Sequence, residues 1–294
     1  MATGAAAALV EVPAPTLRAW ERRYGVPVSP RTLGGHRRYS ISDLDQVAML
    51  REEISLGIRA AEAASTVREV GPPNARTSEL IALVVRAARA GQARAVADAL
   101  DVSRQESGLA VTVDDVVLPA VRRLARWCAE DEQFAATGQV SRWLRAVLTE
   151  APAPSAPAPV LIAGTDPFTA DLALAALLSH RGVATVLAGR PDPAGSLAAL
   201  VATTTVAAVV VVAETPVRSG RRPALDTLLA ARTVCPERRL FYAGSVFGGR
   251  RARAGVPGTY LGRSLSVVAS LVVARLAVEA PWTDRPHPPV ARTG

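Results

Sequence analysis

The alternating Ala-Pro segment at residues 151–159 limits the fold of this chain more than any other feature. Proline has a fixed φ and no amide hydrogen, so four prolines in nine residues exclude both a helix and a central strand. Such a segment is typical of a semi-rigid, extended linker. The chain of 294 residues must therefore fold on either side of it, and a weaker Gly-Pro-Pro break at residues 71–73 divides the first side again. We predict three domains and a flexible tail, at 1–71, 74–150, 160–280 and 281–294 respectively.

Composition and charge exclude several classes of protein. The 34 basic residues are all arginine, and with 26 acidic residues they give a net charge of +8, which permits a polyanionic partner. Cys128 and Cys235 have no histidine or cysteine nearby at metal spacing, so neither a disulfide framework nor a zinc site is predicted. The longest purely apolar run, residues 206–213, is too short to cross a bilayer, and the N-terminus lacks the charged region of a signal peptide. We expect a cytoplasmic protein without a membrane segment.

The first block carries the turn and capping signals of a small helical domain with one hairpin. Thr16 is a good N-cap for a helix that ends near Tyr24, and Ser42 is a candidate N-cap for a later one. Between them, Gly34 and Gly35 have flanking residues compatible with strands, which predicts a hairpin tip. An alanine-rich run from Ala5 to Val10 comes before both helices. The resulting order of helix, helix, hairpin and helix is the layout of a winged helix-turn-helix.

The next two blocks differ in hydrophobic period. Residues 74–150 carry apolar side chains at helical spacing, with breaks near Gly91 and Gly108, which predicts a four-helix bundle. Residues 160–280 alternate short, wholly apolar segments with helical ones, as in a parallel sheet covered on both faces. The predicted fold class is therefore multidomain α and α/β: a winged helix-turn-helix, a four-helix bundle and a flavodoxin-like (Rossmann-type) doubly wound parallel sheet.

The strongest functional signal is a cluster of six arginines and one glutamate between residues 18 and 38, with a local charge of +5. Trp20 and Tyr24 share one helical face, whereas Arg18 and Arg22 project elsewhere. A helix carrying arginines fits the major groove of B-DNA, and an arginine on the hairpin can reach the adjacent backbone. The alternative is a solvated basic helix over an aromatic core. The candidate DNA-binding residues are Thr16, Arg18, Trp20, Arg22, Arg23, Tyr24, Arg31, His36, Arg37 and Tyr39.

The segment from Thr16 to Tyr39 closely resembles the DNA-binding domain of MerR-type transcription regulators. The resemblance continues through residues 40–44 and 55–58, and the first helix, at residues 3–10, is in register with it. It implies binding to pseudo-palindromic promoter DNA by a dimer. We therefore expect double-stranded promoter DNA as the partner and a homodimer or a higher homo-oligomer as the assembly.

The bundle followed by a flavodoxin-like domain is similar to the CarH/LitR group of that family. Those proteins are light-responsive repressors that hold adenosylcobalamin between the two domains. The resemblance implies that Trp127 stands where that group has the tryptophan over the upper face of the corrin. It also implies that residues 164–166, 213–215 and 244–249 form the loops at the carboxyl ends of the strands.

The residues that would hold cobalt in such a site are missing from the sequence. The corrin signature Asp-x-His-x-x-Gly is here residues 166–171, where Phe168 has no lone pair for a metal and Asp171 replaces the small glycine. The upper-face Glu-His pair is replaced by Thr137 and Gly138, and no histidine substitutes by position. We predict no metal, no cofactor and independence of cobalamin and light. The degenerate pocket comprises Trp127, Thr137, Gly138, Asp166, Phe168 and Asp171.

Two alternatives stay open. One is a ligand-sensing regulator that binds a cobalamin or another small molecule between the bundle and the α/β domain. The other is a corrinoid-dependent methyl-transfer module. Against enzymatic chemistry, the sequence shows no Ser-His-Asp constellation, no paired carboxylates at helical spacing in a cleft and no P-loop, so we predict that the protein is not an enzyme.

A second cluster of arginines lies in the C-terminal block. Ten arginines and two acidic residues fall between residues 218 and 263, a local charge of +8. The cluster is compatible with an anionic ligand, with DNA or with an acidic partner protein. The alternative is that these arginines are ordinary solvated loop residues in a chain that has no lysine.

Overall fold

The computed structural model describes residues 1–28, 36–55, 57–155, 158–164, 169–188, 196–214 and 222–278. The described part is mostly helical and contains a five-stranded parallel sheet. The chain divides into two compact units, Met1–Leu80 with Gly249–Ala254, and Ile81–Gly248 with Gly255–Gly294. The predicted flexible tail at 281–294 lies outside the described residues.

The first unit begins with four helices: α1 Thr3–Val10, α2 Ala14–Tyr24, α3 Ile41–Ser55 and α4 Ala60–Val70. Helix α2 starts directly after Pro13, so Thr16 lies inside the helix and is not its N-cap. Ser40, rather than Ser42, caps α3: the Asp43 amide donates to Ser40 Oγ (3.1 Å) and the Ser40 amide donates to the Asp43 carboxylate (2.7 Å). This reciprocal pair is a capping box, which satisfies two backbone donors and so fixes the start of the helix two residues earlier than expected.

A small apolar cluster holds these helices together. Val26 from the loop after α2 packs with Leu50 of α3 and with Val67 of α4, all of them buried. Trp20 and Tyr24 pack against this cluster from α2. The aromatic face of α2 is therefore fixed to the core of the unit, and the opposite face is left for other contacts.

The helices between the first unit and the sheet are α5 Ala75–Arg89, α6 Ala93–Val111, α7 Leu118–Trp127 and α8 Glu130–Thr149. The boundary between the two compact units falls within α5. Gly91 ends α5 with a positive φ of 68°, and Gly108 interrupts α6 with a φ of 81°. A π-helical segment, Thr112–Val117, joins α6 to α7. Helix-breaking glycines therefore set these helix ends, as the sequence predicted.

Five parallel strands follow in the order β2-β1-β3-β4-β5: β1 Val160–Gly164, β2 Thr185–Leu187, β3 Ala208–Val212, β4 Leu240–Ala243 and β5 Thr259–Tyr260. Every residue of β1, β3 and β4 is buried, because both faces of the sheet are covered. The remaining α-helices of the described residues are α9 Ala170–Ser179, α10 Ser196–Thr203, α11 Arg222–Arg232, α12 Arg250–Arg253 and α13 Leu265–Val278, of which α12 lies in the segment assigned to the first unit. Since the strands are parallel, their carboxyl ends meet at one edge.

Helix α9 joins the bundle helices to the sheet. Its residues 170–178 are all buried, and a helix that is apolar on every side must be covered on every side. It contacts β1 and β2 of the sheet, α13 beside it and α8 of the bundle. Most of the second and third predicted domains thus lies within one compact unit, and their boundaries at 74–150 and 160–280 stay a prediction.

Candidate functional site

Helix α2 presents the basic surface that the sequence predicts. Leu17 is fully buried, and Trp20 and Tyr24 are half-buried, so this face of the helix points into the core. Arg18, Arg22 and Arg23 of α2 are exposed, as is Pro15 in its first turn. The guanidinium carbon of Arg23 lies 5.7 Å from the centroid of the Tyr24 ring. The division into a fixed apolar face and an exposed arginine face follows directly from helical spacing.

Arg37 is attached to α2 through an ion pair. Its Nε donates a hydrogen bond to the carboxylate of Glu21, and the two side chains are only 24% and 16% exposed. His36 is exposed beside it. Arg31 lies outside the described residues.

Tyr39 packs inside the first unit. It is 2% exposed, its amide donates to the Met1 carbonyl oxygen (2.9 Å) and its own carbonyl accepts from the Met1 amine (2.6 Å). Thr16 is half-buried within α2. The structure therefore exposes Arg18, Arg22 and Arg23, leaves Arg37 partly covered by its pair with Glu21 and assigns Tyr39 a packing role.

The carboxyl edge of the sheet is the second candidate site. In an open parallel sheet, ligands bind outside the carboxyl ends of the strands where the strand order reverses, which is here between β1 and β3. Gly164 ends β1, Glu214 follows β3 by two residues and Gly244 follows β4. These are the loops to which the sequence assigned a degenerate pocket.

Side chains of this chain already cover the glycines at that edge. A Cβ added to Gly164 would lie 2.9 Å from Cγ of Asp171, whose side chain is 2% exposed and accepts a hydrogen bond from the Leu172 amide (2.8 Å). A Cβ added to Gly248 would collide with the guanidinium of Arg263. The space beside Gly164 and beside Gly248 is therefore filled by side chains of this chain.

An ion pair between a bundle helix and the end of β3 closes the same edge. Arg122 of α7 donates from Nη2 to the carboxylate of Glu214, and their side chains are 25% and 4% exposed. The Ser245 hydroxyl donates to the Glu214 carbonyl oxygen. Gly244, with a φ of 111°, lies so close to the Ala213 carbonyl that no side chain fits there. Sequence reasoning missed the pair, although an acidic residue directly after a wholly apolar strand signals a buried carboxylate that needs a partner.

A second polar contact fixes the bundle to the sheet region, and sequence reasoning missed it as well. Asp114, in the π-helical segment, accepts hydrogen bonds from the Leu265 amide (2.9 Å) and from the hydroxyls of Ser264 and Ser266 (2.6 Å each). It thereby satisfies donors at the N-terminus of α13, which favours a negative charge.

The other residues predicted for the degenerate pocket lie in different environments. Trp127 ends α7 with the Arg126 guanidinium 5.8 Å from its ring centroid, and its indole nitrogen is buried without a hydrogen-bond partner among the described residues. Thr137 is buried and donates to the Gln133 carbonyl (2.8 Å) within its own helix, whereas Gly138 is exposed. Asp166 and Phe168 lie outside the described residues.

Two arginines of the C-terminal cluster are used inside the fold. Arg239 is 4% exposed and donates to the Ala207 carbonyl oxygen (3.3 Å), and Arg263 lies over Gly248. Arg218 and Arg221 lie outside the described residues.

Over the described ranges, no three His, Cys, Asp or Glu side chains are grouped so that they could hold a metal ion. Nor does any described helix have the length and apolar character needed to cross a membrane. Burial raises the pKa of the Cys235 thiol to about 12, and burial together with the nearby Glu132 carboxylate raises that of Cys128.

Comparison with known proteins identifies the N-terminal region. Residues 3–39 match the MerR family regulatory protein model, so the chain carries a MerR-family helix-turn-helix domain at its N-terminus. The HTH-type transcriptional regulator MlrA, from Escherichia coli and from two strains of Salmonella typhimurium, is 37% identical over 59 residues. That stretch is 20% of this chain and 24% of MlrA, so the chain spans about a quarter of the length of the curated relatives it matches.

Among solved structures, the methanol:cobalamin methyltransferase complex MtaBC from Methanosarcina barkeri aligns with 83% of this chain and 95% of its own matched chain. The identity is 16% and the TM-score is 0.34, values too low to support a conclusion on fold or function.

Proposed function

We propose that this protein is a sequence-specific, DNA-binding transcription regulator that acts in the cytoplasm. One observation carries the proposal: α2 has its aromatic face fixed in the core and exposes Arg18, Arg22 and Arg23 on its other sides. The helix lies within the segment that matches the MerR family model. Guanidinium groups pair bidentately with guanine or phosphate, so α2 would enter the major groove. Arg37, after the predicted hairpin, would contact the adjacent DNA backbone.

The experiment that tests this role is selection of duplexes from a random pool by the purified protein, followed by fluorescence anisotropy with an enriched duplex and a scrambled one. The expected result is enrichment of a pseudo-palindromic sequence and preference for it over the scrambled duplex. A protein that enriches no sequence, even at low salt, overturns the proposal. Analytical ultracentrifugation of the complex tests the proposed homodimer or higher homo-oligomer.

We further propose that the second unit contains a flavodoxin-like α/β region that works without cobalamin or light. The strand order β2-β1-β3-β4-β5 supports the first part. The second part is supported by the side chains at the carboxyl edge, where Asp171 fills the space next to Gly164 and Arg122 pairs with Glu214. These residues do not fit a corrinoid, and no step of the proposed function passes through one.

A second candidate is a regulator that senses a small molecule between the bundle and the sheet. The observation that favours it is the buried indole N–H of Trp127, for which the described residues provide no acceptor. Mixing the protein with adenosylcobalamin in the dark, followed by desalting, separates the candidates. A colourless protein supports cobalamin independence, and a red protein that bleaches in light overturns it.

A further inference from the structure

We propose that Glu21 is a positioning residue that holds Arg37 ready to contact the DNA backbone. The inference rests on the proposed DNA-binding function and adds a role to a residue that is itself acidic. Its basis is the ion pair between Glu21 of α2 and Arg37, which joins the helix to the segment after the predicted hairpin.

The contact with Glu21 uses only one nitrogen of the Arg37 guanidinium. Glu21 accepts from Nε, so one of the five guanidinium N–H donors is used and the four on the terminal nitrogens remain. Among the described residues, Glu21 is the partner that the structure gives this guanidinium. A forked pair of N–H donors suits a phosphate oxygen pair. The side chain of Arg37 is 24% exposed, so its path is fixed by packing as well as by the bond.

The position of Glu21 also argues for a role. It is the one acidic residue among six arginines between residues 18 and 38, and it follows Arg18 by three positions, which places both on neighbouring parts of the helix surface. A carboxylate on a surface that meets a polyanion weakens binding through charge repulsion. Fixing the arginine before contact offsets that loss, because less side-chain freedom is lost on binding.

A positioning role and a purely repulsive role of Glu21 predict opposite effects of Glu21→Gln on the affinity for DNA. If Glu21 only repels phosphate, then Glu21→Gln tightens DNA binding. If Glu21 positions Arg37, the same substitution weakens binding, although it removes a negative charge. In a protein that already carries Arg37→Gln, nothing remains to be positioned, and Glu21→Gln then tightens binding.

The test measures the affinity for the duplex enriched by the wild-type protein, over a series of salt concentrations. Glu21→Gln is expected to weaken binding about tenfold, the loss of one charge-assisted contact. The slope of log K against log salt becomes less steep by about 0.9, as for one lost phosphate contact. Glu69→Gln, which changes an exposed acid of α4 by the same charge, is the matched control and leaves the affinity unchanged or slightly higher.

Equal or tighter binding by the Glu21→Gln protein overturns the inference and leaves the proposed function standing. A wild-type protein that enriches no duplex overturns both. Thermal melting followed by circular dichroism checks each fold. If Glu21→Gln unfolds the protein, Arg37→Lys takes its place, because it keeps the charge but lacks the Nε–H that meets Glu21. Wild-type affinity in the Arg37→Lys protein overturns the inference.

Discussion

Two arginines of the first unit and two of the second occupy opposite environments. On α2 of the first unit, Arg18 and Arg22 are exposed, whereas in the second unit Arg122 is paired with a buried carboxylate and Arg239 is almost fully enclosed. An exposed guanidinium keeps its donors for an outside partner, and an enclosed one satisfies polar groups of its own chain. The difference is between guanidinium groups that solvent can reach and guanidinium groups that are enclosed by their own chain.

The largest expected effect concerns the ion pair between Arg122 and Glu214. Arg122→Gln removes the guanidinium that pairs with the buried carboxylate of Glu214, and we expect the free energy of unfolding to fall by about 3 kcal/mol in urea denaturation. Glu214→Gln should lower it by less, because a neutral amide leaves no bare charge.

Arg142→Gln, at an exposed position of α8, is the control and should change stability by less than about 0.5 kcal/mol. Equal stability of the Arg122→Gln and Arg142→Gln proteins would remove the distinction drawn between the two environments.

The second prediction concerns the exposed arginines of α2. Arg18→Ala should weaken binding to the enriched duplex by about 2 kcal/mol if the side chain reaches a base, measured by fluorescence anisotropy. Its unfolding free energy should stay near the wild-type value, since the side chain is exposed. Arg122→Gln should show the reverse pattern where it remains folded, with lower stability and unchanged affinity. Loss of affinity in both variants would mean that the two surfaces act together.

The third prediction concerns the contact between Gly164 and Asp171. Gly164→Ala places a methyl group against the buried Asp171 side chain, and we expect a loss of about 2 kcal/mol in unfolding free energy. Much of that loss should disappear in a protein that also carries Asp171→Ala, because the smaller side chain makes room for the methyl group. Additive effects of the two substitutions in the double-mutant cycle would contradict the packing described for this edge.

The smallest effect is a difference in thiol reactivity within the second unit. Burial raises the pKa of Cys235 to about 12, so its reactive thiolate is populated only as the pH rises towards that value. Cys128 is half-buried and its pKa is raised as well, with Arg89 acting in the opposite direction. Iodoacetamide at neutral pH should therefore modify Cys128 slowly and Cys235 more slowly still, as followed by mass spectrometry. Faster modification of Cys235 would indicate that the closed unit opens in solution.

Local patterns in the sequence predicted much of the described fold, because they depend on residues a few positions apart. The apolar runs predicted buried strands, and the spacing of Trp20 and Tyr24 predicted which face of α2 is buried. Helix starts were less predictable: Thr16 and Ser42 are both good N-caps, but Pro13 and Ser40 precede the helices instead.

The polar contacts of the second unit could not be predicted, since their partners are far apart along the chain. Arg122 and Glu214 are 92 residues apart, and Asp114 and Ser264 are 150 residues apart. Nothing in a single sequence specifies which arginine meets which carboxylate. The roles predicted for the residues of α2, and the loss of the cofactor, stay predictions for the experiments above.

The wholly buried helix α9 has a consequence for how the second unit comes apart. The helix is shared between layers, since sheet and bundle each bury one side of it. We expect its backbone amides to be strongly protected from exchange with deuterium, because neighbouring layers cover the helix on every side. The exchange rate of α9 would therefore report how often the contact between bundle and sheet opens.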